Sequence, residues 1–216
     1  MRDELSLRRE LAEVTREVYR KGYTPPLNGN MSVRLDDQHI LITPSYVCKK
    51  LVTEDNVLKV RLDGQVVGCD RKPSIETGMH LSIYKERPDV QGIIHAHPRN
   101  ISVFAVAQKP IDVSIMPEAV YLLGSVKCVD YFMPGSEELR QAVEQHAADY
   151  DAFLLFNHGM ITVGRDISEA LYRLETLELC AELELNAKAL GGAIGLPDEE
   201  VEKLLQVRKS LKESCN

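Results

Sequence analysis

The sequence predicts one domain of the α/β or α+β class, with a β-sheet flanked by helices. Amphipathic helical patterns lie near both ends of the chain, short β-branched and apolar runs fill its middle, and further helical patterns separate those runs. Helix and strand patterns do not alternate regularly, which argues against a doubly wound parallel sheet. The 216 residues contain no repeat and no long linker. We therefore expect residues 1–216 to form a single domain.

The first half of the chain predicts a helix, several strands and a second helix. Leucines and valines at helical spacing predict an amphipathic helix that ends near Gly22. The runs MSVRL and HILITP predict strands, and VLKVRLDGQVVG predicts a β-hairpin that turns at Asp63 and Gly64. SIETGMHLSIYKER predicts a helix that stops before Pro88, with Ser74 as its N-cap.

The second half predicts four more helices and several strands. VQGIIHAH predicts a buried strand, and RNISVFAVAQ predicts a helix after Pro98. The region from IDVSIM to SVKCVDYF predicts further β-structure, and SEELRQAVEQHAADY predicts a helix after Gly135. AFLLFNHGMITVG is strand-like, and the longest helix follows it, from an N-cap at Ser168 to about Gly191. DEEVEKLLQVRKSLK predicts the last helix.

Charge and composition exclude several classes of protein. Lys and Arg total 26 against 33 Asp and Glu, a net charge of −7, which disfavours nonspecific binding to nucleic acid or an anionic membrane. No apolar run reaches the roughly 20 residues that span a bilayer, and the charged N-terminal pattern is not that of a signal peptide. Five dispersed cysteines without a C-x-x-C pair predict no disulfide framework. We expect a cytoplasmic protein.

Two histidines lie two positions apart at the end of an apolar run. Such residues on a strand point to the same face, so His95 and His97 in GIIHAHPRN can reach one metal ion. Zinc favours neutral imidazole, and a catalytic zinc site keeps three protein ligands and one open position. His158 in FNHGM follows another apolar run and is the best candidate for the third ligand. Alternatively, the histidines are polar strand ends that bind carbonyls or water.

Glu76 begins a helical pattern, where the helix dipole favours a carboxylate. The local sequence does not distinguish this stabilising role from a role beside a metal. His80 lies one helical turn after Glu76, and we predict that it packs or supports the site instead of binding the metal. The remaining histidines, His39 and His146, lie in polar contexts and are predicted to be structural. The loops LNGNMS and ITPSY can present donors to an anion, although most loops of this composition are turns.

Six segments, taken in order, resemble the class II aldolase family, the group that contains fuculose-phosphate aldolases and ribulose-phosphate epimerases. They lie within residues 11–192 and are GNMSVR, ITPS, KPSIE, RPDVQGIIHAHP, PGSEEL and NHGMITVG. The resemblance implies a three-layer αβα fold with a central, mainly antiparallel β-sheet and helices on both sides. It also implies a homotetramer with active sites at subunit interfaces.

The same resemblance implies roles for individual residues. The family's three zinc ligands match His95, His97 and His158, although imidazole also suits Mn²⁺, Co²⁺ or Fe²⁺. Its general acid/base matches Glu76. Its phosphate-binding positions match Gly29, Asn30, Ser45 and Ser74. Glu118 matches the position where a neighbouring subunit contributes a tyrosine, and Tyr121 lies one turn away if that segment is helical.

The implied reaction is retro-aldol cleavage of a ketose 1-phosphate to dihydroxyacetone phosphate and an aldehyde, through a metal-stabilised enediolate. Three departures from the fuculose-phosphate aldolase motifs leave the substrate open. Ile75 replaces a serine, Tyr46 replaces a glycine, and the C-terminal tail lacks an active-site tyrosine. A decarboxylase of a keto-acid phosphate or an aromatic acid is the alternative within the family. An epimerase matches less well, because its motif has aspartate at the position of Glu76.

A hypothesis of another class is a non-catalytic interaction module resembling the adducin head, which shares the family fold without its metal ligands. The three histidines and Glu76 favour an enzyme over such a module.

Overall fold

The computed structural model describes residues 3–214 of the chain. The strands of this region are β1 (Asn30–Arg34), β2 (His39–Ile42), β3 (Leu58–Arg61), β4 (Val66–Val67), β5 (Gly92–Ala96), β6 (Lys127–Val129), β7 (Ala152–Leu155) and β8 (Gly159–Gly164). The α-helices are α1 (Glu4–Arg20), α2 (Thr77–Glu86), α3 (Arg99–Ala107), α4 (Pro117–Leu123), α5 (Glu137–Glu144), α6 (Ile167–Ala187) and α7 (Asp198–Ser214).

All eight strands belong to one sheet with the order β4-β3-β2-β1-β5-β8-β7-β6. Every neighbouring pair is antiparallel except β6 and β7. The predicted central, mainly antiparallel sheet is therefore confirmed, and the sheet is not doubly wound. The predicted hairpin is also confirmed, since β3 and β4 pair around a turn in which Gly64 has φ 94°.

The sheet separates two hydrophobic cores, because alternate residues of a strand point to opposite faces. Ile93 of β5 packs with α2 and α5 on one face, whereas Ile94 packs with α1, α3, α4 and α6 on the other. Along β7, Phe153 packs on the same face as Ile93, and Leu154 packs on the same face as Ile94. This arrangement is the predicted three-layer αβα fold.

Side-chain caps fix where several helices begin, and two predicted caps are wrong. Asp166 caps α6 by accepting from the Glu169 N–H over 2.7 Å, so Ser168 lies inside the helix. The N-cap position of α2 is Glu76, and its side chain makes no capping bond. The Ser74 hydroxyl instead accepts the Glu76 N–H in a local turn. An aspartate carboxylate satisfies free helix N–H groups as well as a serine does, and the sequence did not separate the two.

The predicted β-structure around IDVSIM is wrong. Val113–Ile115 forms a short 3-10 helix, and α4 begins directly after it with Pro117 at its first position. A proline there has a backbone suited to the start of a helix and needs no N–H donor. From SVKCVDYF, only Lys127–Val129 pairs as a strand. The helix α5 is also shorter than predicted and is followed by turns.

The described helices include none that is long and apolar enough to span a bilayer. Cys215 lies outside the described residues, and the four other cysteines are free thiols.

Candidate metal centre and catalytic site

His95 and His97 are held by rigid backbone at the end of β5, a central strand between β1 and β8. His95 is fully buried, and its Nδ1 lies 2.9 Å from the Met160 carbonyl oxygen. Because a carbonyl only accepts, Nδ1 carries the proton and the Nε2 lone pair of the neutral ring is free. The His97 backbone N–H donates to the Tyr23 carbonyl over 2.9 Å, which fixes the chain just beyond the strand.

A tight turn between β7 and β8 brings His158 to the same place. Leu155 pairs with Gly159 across the turn, and Asn157 adopts the left-handed conformation with φ 54°. A Cβ on Gly159 would lie 2.3 Å from His97 Cδ2 and 2.6 Å from the Ala96 carbonyl oxygen. Only glycine therefore lets the turn pack this closely against His97.

The three imidazoles form a compact set of metal-ligand atoms. One ring nitrogen from each of His95, His97 and His158 lies within 4.8 Å of the others. The Nε2 atoms of His95 and His97 are only 3.1 Å apart. The His95 lone pair faces a second nitrogen at this distance, which favours a shared cation or proton between the two rings. The buried Glu76 Oε1 atom faces the same cluster and lies 2.9 Å from His158 Nε2.

Burial keeps these rings available as ligands. Desolvation lowers the pKa of His95, and the charge of nearby His158 lowers it further, against the opposing effect of Glu76. Burial, together with the neighbouring histidines, lowers the pKa of His97 to about 3. Both rings are neutral near pH 7, which is the form that binds divalent metals.

Glu76 lies at the start of α2, directly beside the histidines. Its Oε1 is 2.9 Å from His158 Nε2, and its Oε2 is 3.4 Å from His95 Nε2. Burial alone would raise the pKa of Glu76, but its electrostatic interactions with His95 and His158 and its hydrogen bonds with His158 and Asn30 outweigh that effect. The pKa of Glu76 therefore lies well below its ordinary value, and the side chain is a carboxylate at the edge of the candidate metal position.

Three of the four predicted phosphate-binding residues lie around this centre. Asn30 pairs with His95 across β1 and β5, and its amide donates to Glu76 Oε2 over 2.8 Å and to Ser74 Oγ over 3.2 Å. Gly29 adopts φ 70°, and a Cβ there would lie 2.7 Å from the His95 carbonyl oxygen. Ser45 lies in the turn after β2, without a described contact to the histidines or Glu76.

Tyr46, which follows Ser45, explains one departure from the family motif. Its φ is 57°, a conformation that glycine adopts without strain, and its side chain is 90% exposed. The turn therefore keeps its left-handed backbone with tyrosine in place of glycine.

Glu118 and Tyr121 do not join this centre within one chain. Both lie on α4, which confirms that the segment is helical. Tyr121 lines a cavity with Gly164, the last residue of β8. His158 precedes the first residue of that strand, and a six-residue strand is roughly 17 Å long. Within this chain, Tyr121 therefore lies toward the opposite end of the sheet, and Glu118 makes no described contact with the histidines or Glu76.

Lys49 is the clearest feature that the sequence analysis missed. It is 2% exposed, its Nζ contacts the Leu27 carbonyl oxygen at 3.5 Å, and burial lowers its pKa while the charge of Glu76 raises it. A lysine in the polar segment CKKL gives no sign of burial, because only the tertiary fold covers it.

The other histidines behave largely as predicted. His39 contacts Asp36 at 2.9 Å, and His146 stacks edge-on against Tyr150. His80 is fully buried behind Glu76 and binds Asn30 and Ser32.

The sheet order and the histidine cluster define a class II aldolase type of fold, and comparison with known proteins identifies the family. Residues 9–185 match the Class II Aldolase and Adducin N-terminal domain. The chain belongs to the class II aldolase family. Members of this family include metal-dependent aldolases, and the cluster of three histidines is present here.

Relatives with two different reactions resemble the chain about equally. The 3-oxo-tetronate 4-phosphate decarboxylase of Escherichia coli (strain K12) is 32% identical, with 83% of this chain and 86% of the relative aligned. The L-fuculose phosphate aldolase of Methanocaldococcus jannaschii is 33% identical, with 82% of this chain and 95% of the relative aligned. A solved structure of L-fuculose 1-phosphate aldolase superposes with a TM-score of 0.87 at 30% identity, covering 94% of this chain and 96% of that chain.

Proposed function

We propose that the protein is a zinc-dependent lyase that cleaves a ketose 1-phosphate by a retro-aldol reaction, as L-fuculose phosphate aldolases do. One observation carries the proposal: a buried carboxylate, Glu76, lies within 3.4 Å of two of three clustered histidines. A metal-binding cluster and an adjacent carboxylate are the two groups that enolate chemistry requires.

The described side chains fit a divalent ion held by His95, His97 and His158. The neutral rings, the converging nitrogens and the adjacent Glu76 carboxylate support this assignment. An ion held there would act as a Lewis acid on a substrate that is losing a C–C bond electron pair to its carbonyl group. Mn²⁺, Co²⁺ and Fe²⁺ suit the same imidazole ligands.

Glu76 would carry the proton in this reaction. When the bond between the two halves of the ketose breaks, the carbon next to the carbonyl keeps the electron pair and must gain a proton. Because the side chain is a carboxylate, it would first take up a proton from solvent, and Oε1, which faces the histidine cluster 2.9 Å from His158 Nε2, would then deliver that proton to the carbon. The Oε2 atom accepts from Asn30, so the carboxylate is held in place from one side.

The decarboxylase is the second candidate function, favoured by the 32% identical 3-oxo-tetronate 4-phosphate decarboxylase. Loss of carbon dioxide from a 3-keto acid also leaves an electron pair next to a carbonyl and needs a proton at that carbon. Glu76 would serve both reactions. The two reactions differ at the carbon that leaves. Only the retro-aldol reaction must also remove a proton from a hydroxyl group on that carbon, which then becomes the aldehyde.

Product analysis tests these two functions directly. Zinc-loaded protein is incubated separately with L-fuculose 1-phosphate and with 3-oxo-tetronate 4-phosphate, and dihydroxyacetone phosphate and carbon dioxide are measured in both reactions. We expect dihydroxyacetone phosphate from the first substrate. Carbon dioxide from the second substrate alone would replace the aldolase proposal with the decarboxylase. Turnover of neither would overturn both for these substrates, and a His95→Ala variant controls for contaminating activity.

A non-catalytic module is the third hypothesis, and metal analysis of the purified protein tests it. We expect one divalent ion per chain after zinc is added. A protein that gains no bound ion would refute both enzyme proposals.

We also propose a homotetramer in which Glu118 and Tyr121 complete the site of a neighbouring subunit, because neither makes a described contact with the histidines of its own chain and Tyr121 lies near the far end of β8. Co-expression of His95→Ala with Glu118→Gln/Tyr121→Phe tests this. Each variant alone should be impaired, and hybrid oligomers should regain part of the lost activity. A monomer in sedimentation, or no gain in the hybrids, would contradict shared sites.

A further inference from the structure

Four polar side chains form a continuous chain of contacts that ends at the Glu76 carboxylate. The Tyr84 hydroxyl is 3.0 Å from Ser32 Oγ, which is 2.7 Å from His80 Nδ1. On the other side of that ring, Nε2 is 2.6 Å from Asn30 Oδ1. The Asn30 amide nitrogen is 2.8 Å from Glu76 Oε2. All five side chains are buried.

Two elements with different periods create this chain of contacts. On β1, Asn30 and Ser32 are two residues apart and point to one face of the sheet. On α2 and its N-cap, Glu76, His80 and Tyr84 are four residues apart and share one side of the helix. Because α2 packs against the sheet, the two β1 side chains fit between the three side chains of the helix, and contacts alternate between strand and helix along the chain.

The hydrogen bonds that the Asn30 amide donates fix the direction of the first two bonds. Its nitrogen donates to Glu76 Oε2 over 2.8 Å and to the Ser74 hydroxyl oxygen over 3.2 Å, so its carbonyl oxygen faces His80. That oxygen only accepts. His80 must therefore carry a hydrogen on Nε2 and donate it.

Burial fixes the direction of the remaining bonds. Desolvation, with a smaller effect from His95, lowers the pKa of His80 to about 3, so the ring is neutral near pH 7. With its hydrogen on Nε2, its Nδ1 must accept from the Ser32 hydroxyl. The Ser32 oxygen then accepts from Tyr84, whose pKa burial raises above its ordinary value. The opposite tautomer would place two lone pairs 2.6 Å apart at Asn30.

We propose that His80, held as its neutral Nε2–H tautomer by Ser32, is a positioning residue for catalysis. It locks the Asn30 amide so that NH₂ faces Glu76 Oε2, and the other oxygen, Oε1, stays turned toward the histidine cluster. A flipped amide would set its carbonyl oxygen against the carboxylate. The catalytic part of this inference rests on the proposed role of Glu76.

Nitrogen NMR on the wild-type protein tests the tautomer. In a long-range ¹H–¹⁵N spectrum of zinc-loaded protein near pH 7, we expect the protonated-nitrogen shift at Nε2 of His80 and the unprotonated shift at Nδ1. A His80→Gln sample assigns the signals by their disappearance. An Nδ1–H tautomer or a doubly protonated ring would overturn the proposal.

A matched pair of variants tests the consequence for Glu76. The amide nitrogen of glutamine can occupy the position of Nε2, so His80→Gln keeps a donor to Asn30. Asparagine reaches only the position of Nδ1, so His80→Asn loses that donor. In crystal structures of the variants, Glu76 Oε2 should remain bonded to the Asn30 amide in His80→Gln and lose that bond in His80→Asn. An unchanged Asn30–Glu76 bond in His80→Asn would overturn the proposal.

Kinetics separates positioning from a merely structural role. On the substrate that the wild-type protein turns over, we expect kcat of His80→Asn to fall about 10- to 100-fold with KM and zinc content unchanged. His80→Gln should restore kcat to within a few-fold of wild type. Equal kcat values in two folded variants would overturn the catalytic role. If the wild-type protein turns over neither test substrate, the proposed function fails, while NMR and the crystal structures still decide the hydrogen-bond geometry.

Discussion

At the scale of single residues, the histidine cluster depends on the backbone that surrounds it. His95 Nδ1 donates a hydrogen bond to the Met160 carbonyl oxygen, and this bond orients the ring so that Nε2 faces the other rings. A carbonyl that orients a ring nitrogen in this way is the usual support for a metal-binding histidine. Loss of any one ring would leave two ligands, too few for a stable zinc site.

His95→Ala should therefore abolish zinc binding while the protein stays folded. Zinc content after dialysis measures the first effect, and circular dichroism measures the second. His146→Ala is the matched control, because His146 stacks on Tyr150 away from the cluster. Near wild-type zinc content in His95→Ala would refute the ligand assignment.

Glu76→Gln should keep zinc but lose proton transfer. Glutamine preserves the size of the side chain but cannot carry the proton, so kcat should fall roughly 10²–10⁴-fold. Steady-state kinetics with parallel zinc analysis measures both quantities. Activity within a few-fold of wild type would remove Glu76 from the mechanism.

At the scale of elements, the β7–β8 turn and β5 must approach closely for the cluster to form. Gly159 is the contact point, since any Cβ there overlaps His97 and the Ala96 carbonyl. Sequence patterns predicted strand structure for β5 and for the segment that contains β7 and β8, but not the turn between those two strands. They could not predict this contact, because it joins segments about sixty residues apart.

Gly159→Ala should destabilise the fold by about 1–3 kcal/mol and weaken zinc binding, because the turn must move away from His97. Chemical denaturation and zinc titration measure the two effects. Gly78→Ala, within α2, is the control variant: its new Cβ makes an ordinary 3.5 Å contact with Arg140 Cδ, so stability should stay level or rise by up to about 1 kcal/mol. Equal stability and zinc affinity in both variants would contradict the packing argument.

The start of α6 gives a second test at this scale. Asp166→Ala removes the side chain that accepts the Glu169 N–H and should cost about 1 kcal/mol of unfolding free energy. Ser168→Ala removes only a hydroxyl group from within the helix, so the free energy of unfolding should change by no more than about 0.5 kcal/mol. A larger loss in Ser168→Ala would restore the N-cap that the sequence predicted.

At the scale of the whole molecule, a buried neutral histidine couples folding to pH. The pKa of His80 is about 3 in the folded protein against an ordinary 6.5. Between these values the unfolded chain binds a proton that the folded protein does not. Acidification below about pH 6.5 therefore favours unfolding, and stability rises with pH across this window.

His80→Gln should flatten that dependence. With one fewer titrating group, the change in unfolding free energy with pH should decrease by up to about 1.4 kcal/mol per pH unit between roughly pH 6 and pH 4.5. Urea denaturation at a series of pH values measures this dependence. Both the wild-type and the variant protein are used without zinc, so that release of metal on unfolding contributes to neither curve. Parallel pH profiles would show that His80 is protonated in the folded protein or exposed.

By itself, the sequence determined the class of fold, most helices and strands, and the residue types available for chemistry. Those features depend on local periodicity and on motifs shared with a family. Its errors were also local: Ser168 for Asp166, Ser74 for a helix cap, and strands where α4 lies. Competing local signals of similar energy decide such boundaries.

Only the tertiary structure decided which polar residues meet. The fold buries Lys49 and places the Asn30 amide where it donates to Glu76. It also brings His80 into contact with Ser32 and Asn30. The fold places Tyr121 near the end of β8 that lies away from the histidines of its own chain. The physical reason is that these contacts depend on strand pairing and on helix packing across the sheet, and both bring together residues that are distant along the chain.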